Sequence, residues 1–159
     1  MKKILTCLLL TMIIAAPAMA NDLPISIQAD LDMYLGYKMG IRFDVNDKLD
    51  IVSGFGANVL FPTQYCFSTY ASYKTMEIHD TWHIGVNFGV LQGVFDNTAV
   101  IGERYVYVNP GLSMYLTYPI SDKIRIGAQG GMVFMIGYDR GRWGSSLEPI
   151  MGISFIYSE

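Results

Sequence analysis

From Ser26 to Asp44 apolar and polar positions alternate almost without a break. Ile27, Ala29, Leu31, Met33, Leu35, Tyr37, Met39, Ile41 and Phe43 form one set. Ser26, Gln28, Asp30, Asp32, Tyr34, Gly36, Lys38, Gly40, Arg42 and Asp44 form the other. Side chains of a strand point alternately to its two faces, whereas a helix repeats every 3.6 residues, so this run is extended chain. Shorter stretches repeat the pattern. Leu49, Ile51, Phe55, Val59 and Phe61 alternate with Asp50, Gly54, Gly56 and Asn58. The same rhythm holds around Tyr65–Tyr73, Trp82–Val90, Val106–Tyr118, Ile124–Ile136 and Met151–Tyr157. Helical periodicity is missing from this whole stretch.

The breaks carry turn chemistry. Val45–Lys48, Met76–Asp80 and Pro119–Asp122 are short; Phe61–Gln64 is another break; Leu91–Glu103 and Asp139–Ser146 are longer and contain glycine. The first run is about twice the 9–11 residues that one strand needs to cross a bilayer. It therefore holds two strands, with a turn near Leu35-Gly36-Tyr37. A three-residue loop pairing Tyr34 with Lys38 would keep the alternation intact, whereas a two-residue loop would not. The predicted fold is all-β: a closed antiparallel up-and-down barrel of about eight strands.

Composition fixes the surroundings. Only 16% of the residues are charged and 52% are apolar, against about 25% charged in soluble domains. A net charge of −3 excludes a basic nucleic-acid binder. Two cysteines, Cys7 and Cys66, exclude a disulfide scaffold. Met1-Lys2-Lys3, the apolar stretch Ile4–Ala16 and the motif Ala18-Met19-Ala20 read as a secretory signal peptide over residues 1–20, cleaved after Ala20. Residues 21–159 then form one barrel domain, and Cys66 loses its only possible intramolecular partner. No later stretch approaches the 18 apolar residues of a spanning helix, so insertion must be by strands.

Aromatic placement decides which face meets lipid. Phe43, Tyr73, Trp82, Tyr118 and Tyr157 sit in the apolar set beside the short turns or the C-terminus. Phe61, Tyr65 and Tyr138 sit beside the other breaks. Aromatic rings at both ends of an apolar band match two lipid–water interfaces. The opposite set holds many charges, which a dry core would not tolerate but a narrow polar lumen can pair. The apolar set should therefore point outward. The competing reading is a soluble periplasmic or secreted ligand-binding barrel with these aromatics in its core.

With its signal peptide, strand–turn rhythm and aromatic ends, the chain resembles the small eight-stranded outer-membrane β-barrel proteins of diderm bacteria, over Ile25–Ser158. The resemblance implies outer-membrane lipid and the barrel assembly machinery as partners, and a monomer. The terminal Ile153–Tyr157 stretch suits that machinery, although Ser158 and Glu159 follow the last aromatic. Such barrels include lipid A-modifying enzymes, and His83 and Ser113 with Glu103 or Glu148 are the residues that a hydrolytic triad would draw on. No H-x-S or G-x-S-x-G pattern supports one. His79 and His83 lie four apart, but on a turn and a strand, without the helix that makes such spacing a zinc site. No catalytic, metal or cofactor site is expected. The candidates are instead a lumen network of Asp30, Asp32, Lys38, Arg42, Asp50, Arg125 and Glu148, and a possible lipopolysaccharide contact at Arg140, Arg142 and Trp143. Barrel closure is expected to bring Glu148 and Arg125 into one ring. Function is expected to be non-enzymatic, structural or interaction-related.

Overall fold

The computed structural model describes residues 25–32, 36–58, 64–78, 81–96, 106–139 and 142–158. The signal-peptide reading, His79, Glu103, Phe61 and Arg140 lie outside the described residues. Eight strands follow in order: β1 (Ile25–Asp32), β2 (Gly36–Asn46), β3 (Leu49–Asn58), β4 (Gln64–Ile78), β5 (Trp82–Asp96), β6 (Val106–Pro119), β7 (Ile124–Asp139) and β8 (Arg142–Ser158). Each pairs antiparallel with the next, and β8 closes on β1 to complete the barrel.

Pairing fixes the barrel's geometry. A path across the strands from Trp143 runs through Tyr138, Val106, Phe95, Tyr65, Ala57, Tyr37 and Leu31, and returns to β8 at Ile153, ten residues further on. With ordinary strand spacings that stagger tilts the strands by about 40° and leaves an interior that side chains fill. The end with β1's start and β8's finish is called here the terminus end, and the other the loop end. The stagger also sets the β7–β8 pair roughly 20 Å higher than the β1–β2 pair at the loop end.

The apolar set points outward. Ile27, Met39, Ile41, Phe55, Phe88, Leu112, Met132 and Phe155 are exposed, with Met114 at 63%. Ser26, Gln28, Asp30, Asp32, Ser72, Asn87, Ser113 and Thr117 are buried. A soluble barrel has the reverse arrangement; an apolar exterior around a polar interior is that of a transmembrane barrel. Rings mark both ends of the band. Trp82 and Tyr118 meet at 4.8 Å near the terminus end, beside exposed Tyr73 and Tyr157. Phe55, Tyr65 and Phe95 form a cluster toward the loop end, with Tyr65 and Phe95 stacked at 5.2 Å.

Several expected boundaries move. The first turn does not fall at Leu35-Gly36-Tyr37: Gly36 and Tyr37 belong to β2, and Lys38 lies opposite Asp30 rather than Tyr34. Asp32 Oδ1 accepts the Gly36 backbone N–H at 2.9 Å, which ties the end of β1 to the start of β2. The shift is by an even number of residues, so every side chain keeps its face. Leu91 is not the start of a loop, because β5 runs on to Asp96. Gly89 has φ of 136°, a conformation costly for any side chain, and a register shift follows between Val90 and Gln92. That bulge turns Leu91 and Gln92 inward together, which hid the strand from a period-two reading. Met76–Ile78 extend β4, and Arg142–Ser146 belong to β8, pairing with Met135–Asp139. The β2–β3 turn is as the sequence suggests: Asn46 Oδ1 accepts from the N–H groups of Lys48 and Leu49 at 2.9 and 3.0 Å.

Candidate functional site

The lumen holds the chemistry, in three layers. The layer nearest the loop end centres on Lys38, only 1% exposed. Its Nζ lies 3.4 Å from Asp32 Oδ2 and donates to the Leu91 carbonyl at 3.3 Å. Gln92 donates to the same Asp32 oxygen at 2.8 Å, and Asn109 donates to Gln92 Oε1 at 3.2 Å. Beside them Val52, Tyr70, Leu91, Val133 and Ile150 form an apolar cluster inside the barrel. A buried ammonium is tolerable only when its carboxylate partner and hydrogen bonds are all present, and here the Asp32 carboxylate is in turn held by Gly36 and Gln92.

The middle layer centres on Arg42. Its guanidinium forms an ion pair with Asp50, with Nε donating to Oδ2 at 3.0 Å and Nη2 reaching the same oxygen. Nη1 donates to Gln28 Oε1 at 3.2 Å, and Gln28 donates in turn to Asp30 and to Tyr70 Oη, both at 2.8 Å. Asn87 donates to Gln129 at 2.9 Å on the far wall. The void among these groups is about 10 Å³, the space of about one water. The lumen is shut at this level.

The third layer lies toward the terminus end, where a vestibule of about 500 Å³ opens below the Arg42–Asp50 pair. Arg125 Nη1 sits 2.6 Å from His83 Nδ1, and His83 Nε2 sits 2.7 Å from Glu77 Oε1. An arginine can only donate. His83 therefore accepts at Nδ1, carries its proton on Nε2 and donates to Glu77.

Six of the seven expected lumen charges line these layers. Glu148 departs from expectation. It lies opposite Val133, while Arg125 lies opposite Ile156, eight residues along β8. That separation is roughly 26 Å, so the two never share a ring; strand stagger, which alternation cannot reveal, parts them. Arg142 and Trp143 are likewise not on a loop but open β8 at the taller rim, with Trp143 74% exposed and packed on Tyr138 at 5.3 Å. They border an open recess of about 610 Å³ that also touches Tyr107, Met135 and Ser146. His83 pairs with Thr117, whereas Ser113 pairs with Asn87, roughly 13 Å along the strand; the triad does not come together. Among the described residues no group of three His, Cys, Asp or Glu could hold a metal ion. Cys66 is fully buried against the lumen.

Gln28, Tyr70, Gln92 and Asn109 were missed as network members. Gln28 and Asn109 stood on the polar register and could have been found there. Gln92 could not, since the bulge before it breaks the period.

No protein-family model matches this sequence, and no curated protein matches it. Among solved structures, the chain is similar to the de novo designed protein TMB2.3, determined by solution NMR, at 8% identity and a TM-score of 0.55 over 88% of this chain and 98% of that one. A second similar structure, from the de novo design of transmembrane β-barrels, has 13% identity and a TM-score of 0.47 over 86% of this chain and 94% of that one. At such identities the likeness is one of fold: a closed eight-stranded antiparallel barrel.

Proposed function

We propose that this protein is a monomeric, non-enzymatic barrel of a diderm outer membrane, closed to permeation, with a structural or interaction role in the envelope. The observation that carries the reading is the lumen closed by the Lys38 and Arg42 networks and the apolar cluster between them. The apolar exterior favours membrane lipid as its surroundings, and the signal-like first twenty residues favour export. Its partners on this reading are outer-membrane lipid and the assembly machinery, with no nucleic acid and no cofactor. Planar-bilayer recordings of the folded protein test the closed lumen. The expected result is no steady large conductance; a stable, ion-selective conductance abolished by Arg42→Ala would make the protein a pore instead.

A further inference from the structure

The vestibule at the terminus end is large for a mere surface dimple: its volume of about 500 Å³ falls within the size range of small-molecule sites. Tyr115 stands between it and the constriction, lining both. The residue is 6% exposed, yet its hydroxyl has no hydrogen-bond partner among the described residues. A buried hydroxyl left unpaired is destabilising and calls for an occupant. The ring is held where it is by a glycine: a Cβ on Gly85 would stand 2.5 Å from it. Lys74, Gly85 and Tyr115 occupy one transverse row of the sheet, so the phenol ring fills the space over the glycine, beside the strand that carries the lysine.

Two cations, Arg125 and Lys74, face the same cavity with no carboxylate in direct contact. Arg125 touches the neutral imidazole of His83 and keeps its remaining N–H donors. Among the described residues the ion pairs are Lys38–Asp32 and Arg42–Asp50, and Glu77 accepts from the neutral His83, so no carboxylate stands within ion-pair distance of Arg125 or Lys74. Asp44, Asp47, Asp50 and Asp122 line the cavity as well, with Asp50 held by Arg42. Acids there disfavour a polyanion and leave room for one small anionic group beside the bases. We propose that the vestibule binds a small oxyanion, a phosphate or a carboxylate, held by Arg125 and Lys74 with the Tyr115 hydroxyl donating from the floor.

The test uses the full folded chain in a non-ionic, phosphate-free detergent at low salt. Inorganic phosphate and acetate are titrated separately by calorimetry, with folding of each variant checked by circular dichroism. Saturable binding of one anion per barrel is expected, weakened about tenfold by Tyr115→Phe and more by Arg125→Gln, with Gly144→Ala at the opposite rim unchanged. Tighter phosphate binding assigns a phosphate ligand and tighter acetate binding a carboxylate. Should Arg125→Gln fail to fold, Arg125→Lys, which keeps the charge but not the planar fork, serves in its place and should weaken binding less than tenfold. Absence of saturable binding by either anion, or equal affinities in wild type, Tyr115→Phe and the Arg125 variant, would overturn the proposal.

Discussion

Removing the Arg42 side chain tests the lumen most directly. Arg42→Ala deletes the ion pair to Asp50 and the hydrogen bonds to Gln28 and Ser72. Asp50, 8% exposed, is left as a buried carboxylate without its cation. Truncating one partner of a buried pair costs about 3–5 kcal/mol. The vestibule lets water reach this layer from below, which screens the orphaned charge, so the lower end of that range, about 3 kcal/mol, is expected. That lowers the folding constant by about two orders of magnitude. Urea unfolding in lipid vesicles, followed through Trp82 and Trp143, measures it. Arg142→Ala, at the exposed rim, should fall within about 0.5 kcal/mol of wild type. The double variant Arg42→Ala/Asp50→Ala should be more stable than Arg42→Ala alone, because it removes the stranded charge. If Arg42→Ala is no worse than Arg142→Ala, or the double variant is worse than the single, the argument from a buried pair is wrong.

Two further outcomes follow from the outer face and from strand spacing. Met114, exposed on the apolar exterior, should not tolerate charge: Met114→Arg is expected to cost about 2–4 kcal/mol in lipid, and Trp143→Arg much less, both read by the same unfolding assay. Gly56 lies where a Cβ would come within 1.8 Å of the Tyr37 carbonyl oxygen, whereas Gly144 has nothing within 4 Å. Gly56→Ala should sharply reduce the folded yield on heat-modifiable gel mobility, and Gly144→Ala should leave it unchanged; equal yields would deny the close approach of β2 and β3.

The outward face was legible because alternation encodes it directly, and the strand number because turn residues and the length of the first run mark the reversals. Ile27, Met39 and Ile41 declare themselves without knowledge of their neighbours. Height along the barrel is a different quantity. It depends on stagger and bulges, which are properties of pairs of strands. Thus Lys38 and Arg42 could be assigned to the lumen, but Glu148 could not be placed relative to Arg125. Leu91 and Gln92 fail for a related reason: Gly89 and the bulge after it put two successive residues on one face, so the local pattern resembles a loop. The Arg125–His83–Glu77 chain joins three strands through another bulge, between Lys74 and Met76, and had no trace in spacing.

The inverted arrangement also redistributes what holds the protein together. In lipid the apolar exterior meets tails as apolar as itself, so outward-facing side chains gain little from one another and serve mainly to keep the barrel inserted. Specific cohesion must come from the closed backbone ladder and from the interior. The ladder alone does not discriminate, since any even slip of one strand would keep every face correct. The lumen does. Asp32 accepts from Gly36 on its own hairpin and from Gln92 across the barrel, and Arg42 joins β2 to β1, β3 and β4. A slip of two residues at any of these strands would strand a buried charge. The polar groups that make the lumen costly to bury are therefore the ones that set the register, and the small apolar cluster of Leu91, Val133 and Ile150 fills what those networks leave open.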